Sequence, residues 1–268
     1  MKNKVVWSMV GSLVVAVLLF GIVGSLVVEE QEKPAEEEIT PAPIPPPALS
    51  PTLAETVTFP DKKLDALIRK YLGKGPSENI TTAELSNLTE LEDTNCQIAD
   101  LSGIQYCSSL NKLKLSHSQI RDISPLASLT NLTWLELSYS QISDISPLHS
   151  LPNLEILHLY GNQISDLSSL TSLTKLRLLF LGENQISDLS PLASLTNLKL
   201  VRLDSNQISD ISPLGRNPGL GSGDKVYLRY NNLDLSEGSE DLENIRQLED
   251  RGVQIDAATQ TPPPAPDK

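Results

Sequence analysis

From residue 88 onward, apolar residues recur with a period of 22. The leading leucines are Leu88, Leu110, Leu132, Leu154, Leu176 and Leu198. A matching isoleucine column runs Ile98, Ile120, Ile142, Ile164, Ile186 and Ile208. The unit reads L-x-x-L-x-L-x-x-[N/S]-Q-I-x-D-[I/L]-S-P-L with some substitutions, and a seventh copy follows after a three-residue shift (Val226, Leu228, Asn231, Leu233). In L-x-L the two leucines point one way and their neighbours the other, as a strand requires. One such strand is too short to bury its apolar face, so successive units must stack. The pattern predicts an α/β solenoid: a curved parallel sheet, a continuous leucine core and short helical turns on the convex side.

Each unit also carries polar positions with defined tasks. The slot at Cys96, Ser118, Ser140, Asn162, Asn184, Asn206 and Asn231 suits a polar ladder that satisfies the turning backbone. Ser-Pro-Leu at 124–126, 146–148, 190–192 and 212–214 suits a helical turn with serine as its cap and proline at the first helical position. The aspartates at 100, 122, 144, 166, 188 and 210 read as turn residues. One carboxylate per coil is too few to ligate calcium. The glutamines at 97, 119, 141, 163, 185 and 207 read as a polar rim.

These repeats resemble the bacterial internalin-like leucine-rich repeat proteins, over about residues 57–256. The resemblance implies helical caps at both ends. Leu64, Leu67, Ile68 and Tyr71 share a helical face ending at Gly73, and Thr81 with Glu84 forms a capping box for a second short helix. Residues 237–251 read as an amphipathic helix, followed by an edge strand holding Val253 and Ile255. The resulting division is an N-terminal cap at 57–87, a seven-repeat solenoid at 88–235 and a C-terminal cap at 236–256. The family resemblance also implies adhesion or recognition at a cell surface.

The flanks differ in kind. Residues 5–28 form an uncharged stretch of 24 residues, preceded by Lys2 and Lys4 and followed by Glu29, Glu30 and Glu32. About 20 apolar residues span a bilayer as a helix. The charge order directs the remaining chain outward. A membrane signal anchor over residues 1–28 is expected, with a cleaved signal peptide, and hence secretion, as the alternative. Residues 29–56 read as an acidic, proline-rich linker and 257–268 as a proline-rich tail.

Composition narrows the function. The chain of 268 residues has 21 Lys+Arg against 34 Asp+Glu, a net charge of −13, which argues against nucleic-acid binding. Residues 59–233 hold 18 acids and 15 bases, so the repeat body is nearly neutral and the acid lies on the flanks. With three histidines, two cysteines and no P-loop, G-x-S-x-G or H-E-x-x-H, neither an enzyme nor a cofactor or metal site is expected. Cys96 and Cys107 fall in a ladder slot and a leucine slot and are expected as buried free thiols, with a disulfide as the alternative.

Strand alternation then locates a candidate surface. The inner-face column runs Glu90, Lys112, Trp134, Ile156, Leu178, Leu200, Lys225, and the next outward column Glu92, Lys114, Glu136, His158, Phe180, Arg202, Tyr227. Tyr160 lies in the column after that, and Tyr139 just beyond it. Trp134, Tyr139, Ile156, His158, Tyr160, Leu178, Phe180, Leu200, Arg202 and Tyr227 are therefore the candidate residues for binding a protein or cell-surface partner. Contiguous apolar patches mark interaction sites, and Trp, Tyr and Arg are frequent binding anchors. The competing reading is structural: the same side chains stack from coil to coil and stabilise a scaffold that has no specific ligand.

Overall fold

The computed structural model describes residues 55–95 and 97–260. The expected membrane segment, most of the linker, Cys96 and the end of the tail lie outside these residues. Among the described residues, no helix is long and apolar enough to cross a membrane.

The described residues open with strand β1 (Thr56–Val57), helix α1 (Lys62–Leu72), strand β2 (Ile80–Thr81) and helix α2 (Thr82–Leu85). Eight parallel strands follow: β3 (Glu90–Thr94), β4 (Lys112–Ser116), β5 (Trp134–Glu136), β6 (Ile156–His158), β7 (Leu178–Phe180), β8 (Leu200–Arg202), β9 (Lys225–Tyr227) and β10 (Gln254–Asp256). They form one sheet in sequential order. The register is that of the repeat: Lys112 pairs with Trp134, Trp134 with Ile156, Ile156 with Leu178 and Leu178 with Leu200. Between β8 and β9, Leu200 pairs with Lys225, which absorbs the three-residue shift. The extra residues lie between helix α3 (Ser212–Arg216) and β9.

The core lies behind the sheet. Leu113, Leu135, Leu157, Leu179 and Val201 are fully buried, as is the whole isoleucine column. Asp93 replaces leucine in the first coil and stays half-buried. Leu126, Leu148, Leu170 and Leu192 close the core from the opposite side, each within a short 3-10 turn.

The asparagine ladder behaves as its chemistry demands. Asn184 accepts the Ile164 N–H at 3.0 Å and donates to the carbonyls of Leu159 and Leu181 at 3.0 Å. Asn162, Asn206 and Asn231 repeat the arrangement, so each carboxamide satisfies backbone groups of two coils. Ser140 is shorter, and its buried hydroxyl has no partner among the described residues.

The expected serine caps are corrected. Ser124, Ser146, Ser190 and Ser212 are the first residues of their turns, and none caps through its side chain. The aspartates two residues earlier do the work. Asp122, Asp144, Asp188 and Asp210 accept the serine N–H at 2.7–2.8 Å. An aspartate is ionised at neutral pH and accepts this bond more strongly than a hydroxyl.

A helix stands at each end. Asp61 caps α1, accepting the Lys63 N–H at 2.8 Å, and also binds the Ala99 N–H of the first coil at 2.7 Å. Gly73 ends α1 in the left-handed conformation. Tyr71, on this helix, reaches the open edge of β3. Its hydroxyl receives the Glu92 N–H at 2.9 Å and donates to the Glu92 carbonyl at 3.2 Å. The far end carries helix α4 (Glu240–Asp250), capped by Ser239 and packed through Ile245 and Leu248. Arg251 follows and donates to the carbonyls of Gly215, Asn217 and Leu220, tying the inserted loop to the last coil.

Candidate functional site: the concave face

Strand alternation directs the second set of side chains onto the free face of the sheet. Trp134, Ile156, Leu178, His158, Phe180 and Tyr227 are all half-buried there, and Arg202 is exposed. The rings touch across coils: His158 and Phe180 have centroids 3.9 Å apart, and Trp134 and His158 6.1 Å. Arg202 lies over the Tyr227 ring at 4.9 Å and is paired with Asp204 at 3.3 Å. Leu200 continues the apolar floor, half-buried beside Leu178. The structure thus places all ten sequence-predicted residues on this face or its rim.

The rim is built by a left-handed turn at the end of each strand. Asn95, His117, Tyr139, Glu183, Ser205 and Tyr230 all have φ between 51° and 62°, and Gly161 occupies the same column at 66°. Each donates its N–H to the next coil, as His117 does to Ser138 O at 2.9 Å and Tyr139 to Tyr160 O at 2.7 Å. This ladder holds non-glycine residues in a conformation that costs each roughly 1–2 kcal/mol. It also brings rings into contact. His117 stacks on Tyr139 at 4.6 Å with an 11° interplanar angle, and Tyr139 meets Tyr160 at 5.5 Å. Tyr139 is 44% exposed. The Tyr160 hydroxyl donates to Glu183 at 3.0 Å; burial and that carboxylate together push the phenol's pKa well up.

An open groove of about 720 Å³ runs from Thr94 to Arg202, lined by Glu136, His158, Tyr160 and Phe180 with His117 and Tyr139 on its rim. His158 stands in its floor. Burial holds its imidazole below the ordinary value of 6.5; Lys114 adds to the depression, and Glu136 opposes it.

Charge is concentrated at the first coils. Lys112 reaches Glu92 at 2.9 Å, and Lys114 reaches Glu92 at 3.2 Å and Glu136 at 3.7 Å. Both ammonium groups also lie over Trp134, at 5.6 and 5.1 Å. Reading each column by itself misses this network, although its signal is present in the sequence: acids and lysines alternate across neighbouring positions of two adjacent columns. His117, which its place in the repeat puts on or near the inner face, extends the rim cluster by one coil.

A curved parallel sheet of repeated coils, carrying an aromatic concave face, defines a leucine-rich repeat protein. Two spans, 130–172 and 174–216, match the family model for leucine-rich repeats in two copies. No curated protein matches the chain. Among solved structures, an internalin from Listeria monocytogenes is similar at 35% identity, with a TM-score of 0.67. The match covers 74% of this chain and 55% of that one, so the chain spans about half that internalin's length. Internalin C2 of the same organism is 34% identical over 75% of this chain and 100% of its own, with a TM-score of 0.57. The chain belongs to the internalin-like leucine-rich repeat proteins.

Proposed function

We propose that this chain is a membrane-anchored, extracytoplasmic recognition module that binds a protein or cell-surface partner through its concave face, without catalysis. The leucine-rich repeat fold is typical of protein–protein interaction modules. The observation that carries the reading is the concentration of rings. His158, Tyr160 and Phe180 converge on one groove from two adjacent coils, with His117 and Tyr139 on its rim and the Trp134 ring 6.1 Å from that of His158. Such anchors supply large contact area at low entropic cost. Membrane attachment rests on the apolar stretch at residues 5–28.

A scaffold reading has its own support, because Trp134 is covered by two lysines and its indole nitrogen is buried. Affinity capture from cell-surface extracts separates the two. The full chain is compared with a Trp134→Ser/Phe180→Ser variant, with circular dichroism confirming that both fold. Recognition predicts a partner retained by the native chain and lost by the variant. No differential partner would leave the face as packing alone.

A further inference from the structure

The concave groove is lined chiefly by polar side chains, and the Trp134–Leu200 column lies beside it rather than in it. Several of these polar groups serve nothing inside the fold. The hydroxyls of Thr94, Ser138 and Tyr139, the Asn95 carboxamide and the imidazoles of His117 and His158 make no hydrogen bond to any described residue. Ser138 is the sharpest case. It is only 8% exposed, yet its hydroxyl is unpartnered, whereas Ser116 in the same column donates to Glu136 at 3.1 Å. A polar group so far removed from water costs free energy unless something bonds it.

The rings supply apolar surface between these groups. Each tyrosine is laid over a glycine of the next coil: a Cβ at Gly182 would stand 2.3 Å from Tyr160 Cε2 and 3.2 Å from the Asp204 carbonyl oxygen, and one at Gly161 2.6 Å from Tyr139 Cδ1. The rings therefore lie down along the rim and leave the groove open. The charges do not favour an ionic occupant. From β3 to β8 the face and its rim carry five acids (Glu90, Glu92, Glu136, Glu183, Asp204) against three bases (Lys112, Lys114, Arg202), which disfavours an anion. Four of those acids already have a base within 4.0 Å, and the fifth, Glu183, receives the Tyr160 hydroxyl and does not line the groove. A cation would find no free carboxylate there.

The groups left over are of one kind. Hydroxyls and a carboxamide both donate and accept, as does a neutral imidazole such as that of His158. A sugar has the same double capacity at every hydroxyl, and its C–H faces pack on aromatic surface. We infer that the concave groove binds an uncharged oligosaccharide of a cell-surface glycan, with C–H faces on Tyr139 and Phe180 and hydroxyls on Asn95, Ser138 and His158. This rests on the concave face being the binding surface and names its ligand class. The volume of about 720 Å³ falls in the range of small-ligand sites, roughly 300–1,000 Å³. From β3 to β8 the face spans about 24 Å at roughly 4.8 Å per strand, room for several linked sugars.

The test applies the full chain, in a detergent without a sugar headgroup, to an array of defined neutral, sialylated and sulfated oligosaccharides. The best-bound sugar is then titrated by calorimetry at about 150 and about 500 mM NaCl. Neutral sugars are expected to be retained and acidic ones not, with a Kd that changes less than about twofold between the two salts. Ser138→Ala should weaken binding at least about threefold without moving the melting temperature, because its hydroxyl has no partner in the fold. Tyr139→Asn should weaken it at least about tenfold; asparagine adopts the left-handed turn, as Asn95 does in the first coil. No neutral sugar bound, a preference for acidic sugars, or an about tenfold salt effect would each overturn the inference. A bound sugar that neither variant weakens would overturn it together with the concave-face reading. If the array retains nothing but a protein is captured and then lost in the Trp134→Ser/Phe180→Ser variant, recognition by this face stands and the sugar inference alone falls.

Discussion

The Asn184 side-chain oxygen accepts the Ile164 N–H of the preceding coil at 3.0 Å, while its nitrogen donates to carbonyls of both coils. Asn184→Ala would leave these buried groups unpaired, at a cost of about 3 kcal/mol. Ser140 offers the converse. Ser140→Asn lengthens an unpartnered hydroxyl into the carboxamide that four other coils already carry. It is expected to stabilise by about 1 kcal/mol. Urea denaturation of the two variants measures both effects, with opposite signs expected.

The register of the solenoid was legible because a 22-residue period leaves only one way to align the strands. Trp134, Ile156, Leu178 and Leu200 stand side by side on the concave face as their spacing requires. The capping of the 3-10 turns was misread because serine and aspartate are both good caps, and only geometry shows that the turn begins at the serine. The Tyr-over-Gly pairs were readable at the same period. The role of Tyr71 was not, since its reach from α1 to β3 depends on how a helix outside the repeat is docked.

Tyr71 also makes a prediction. Its hydroxyl satisfies both backbone groups of Glu92, in place of the strand neighbour that β3 lacks on that side. Exposed strand edges template aggregation. Tyr71→Phe is expected to cost about 1 kcal/mol in thermal or denaturant unfolding. It should also raise light scattering on prolonged incubation well below the melting temperature.

Cys107 is a free thiol, fully buried, and burial pushes its pKa from 9.0 up to about 12. The thiolate is the nucleophile, so the native protein should resist iodoacetamide at this position at pH 8. Peptide mapping should find Cys107 alkylated only after denaturation. The raised pKa also sets a direction with pH. The unfolded chain loses this proton near pH 9 and the folded chain near 12, so stability falls as pH rises through that window.

His158 shifts the other way. Its folded pKa lies below 6.5, mainly because burial disfavours the imidazolium. The unfolded chain takes up the proton first, so this contribution to stability is complete above pH 6.5 and declines as pH falls. His158→Phe removes the titration and keeps a ring against Phe180. Melting temperatures from pH 7.5 down to 5 should fall less steeply for the variant than for the native chain.

Hydroxyl-radical footprinting of the full chain, free and bound to its captured partner, tests the central claim most directly. Recognition through the concave face predicts that Tyr139, Tyr160 and Phe180 lose reactivity on binding. His149, exposed on the opposite side in a 3-10 turn, should keep its reactivity. Protection of His149 with Tyr139 and Phe180 unchanged would place the partner on the convex side and contradict the account.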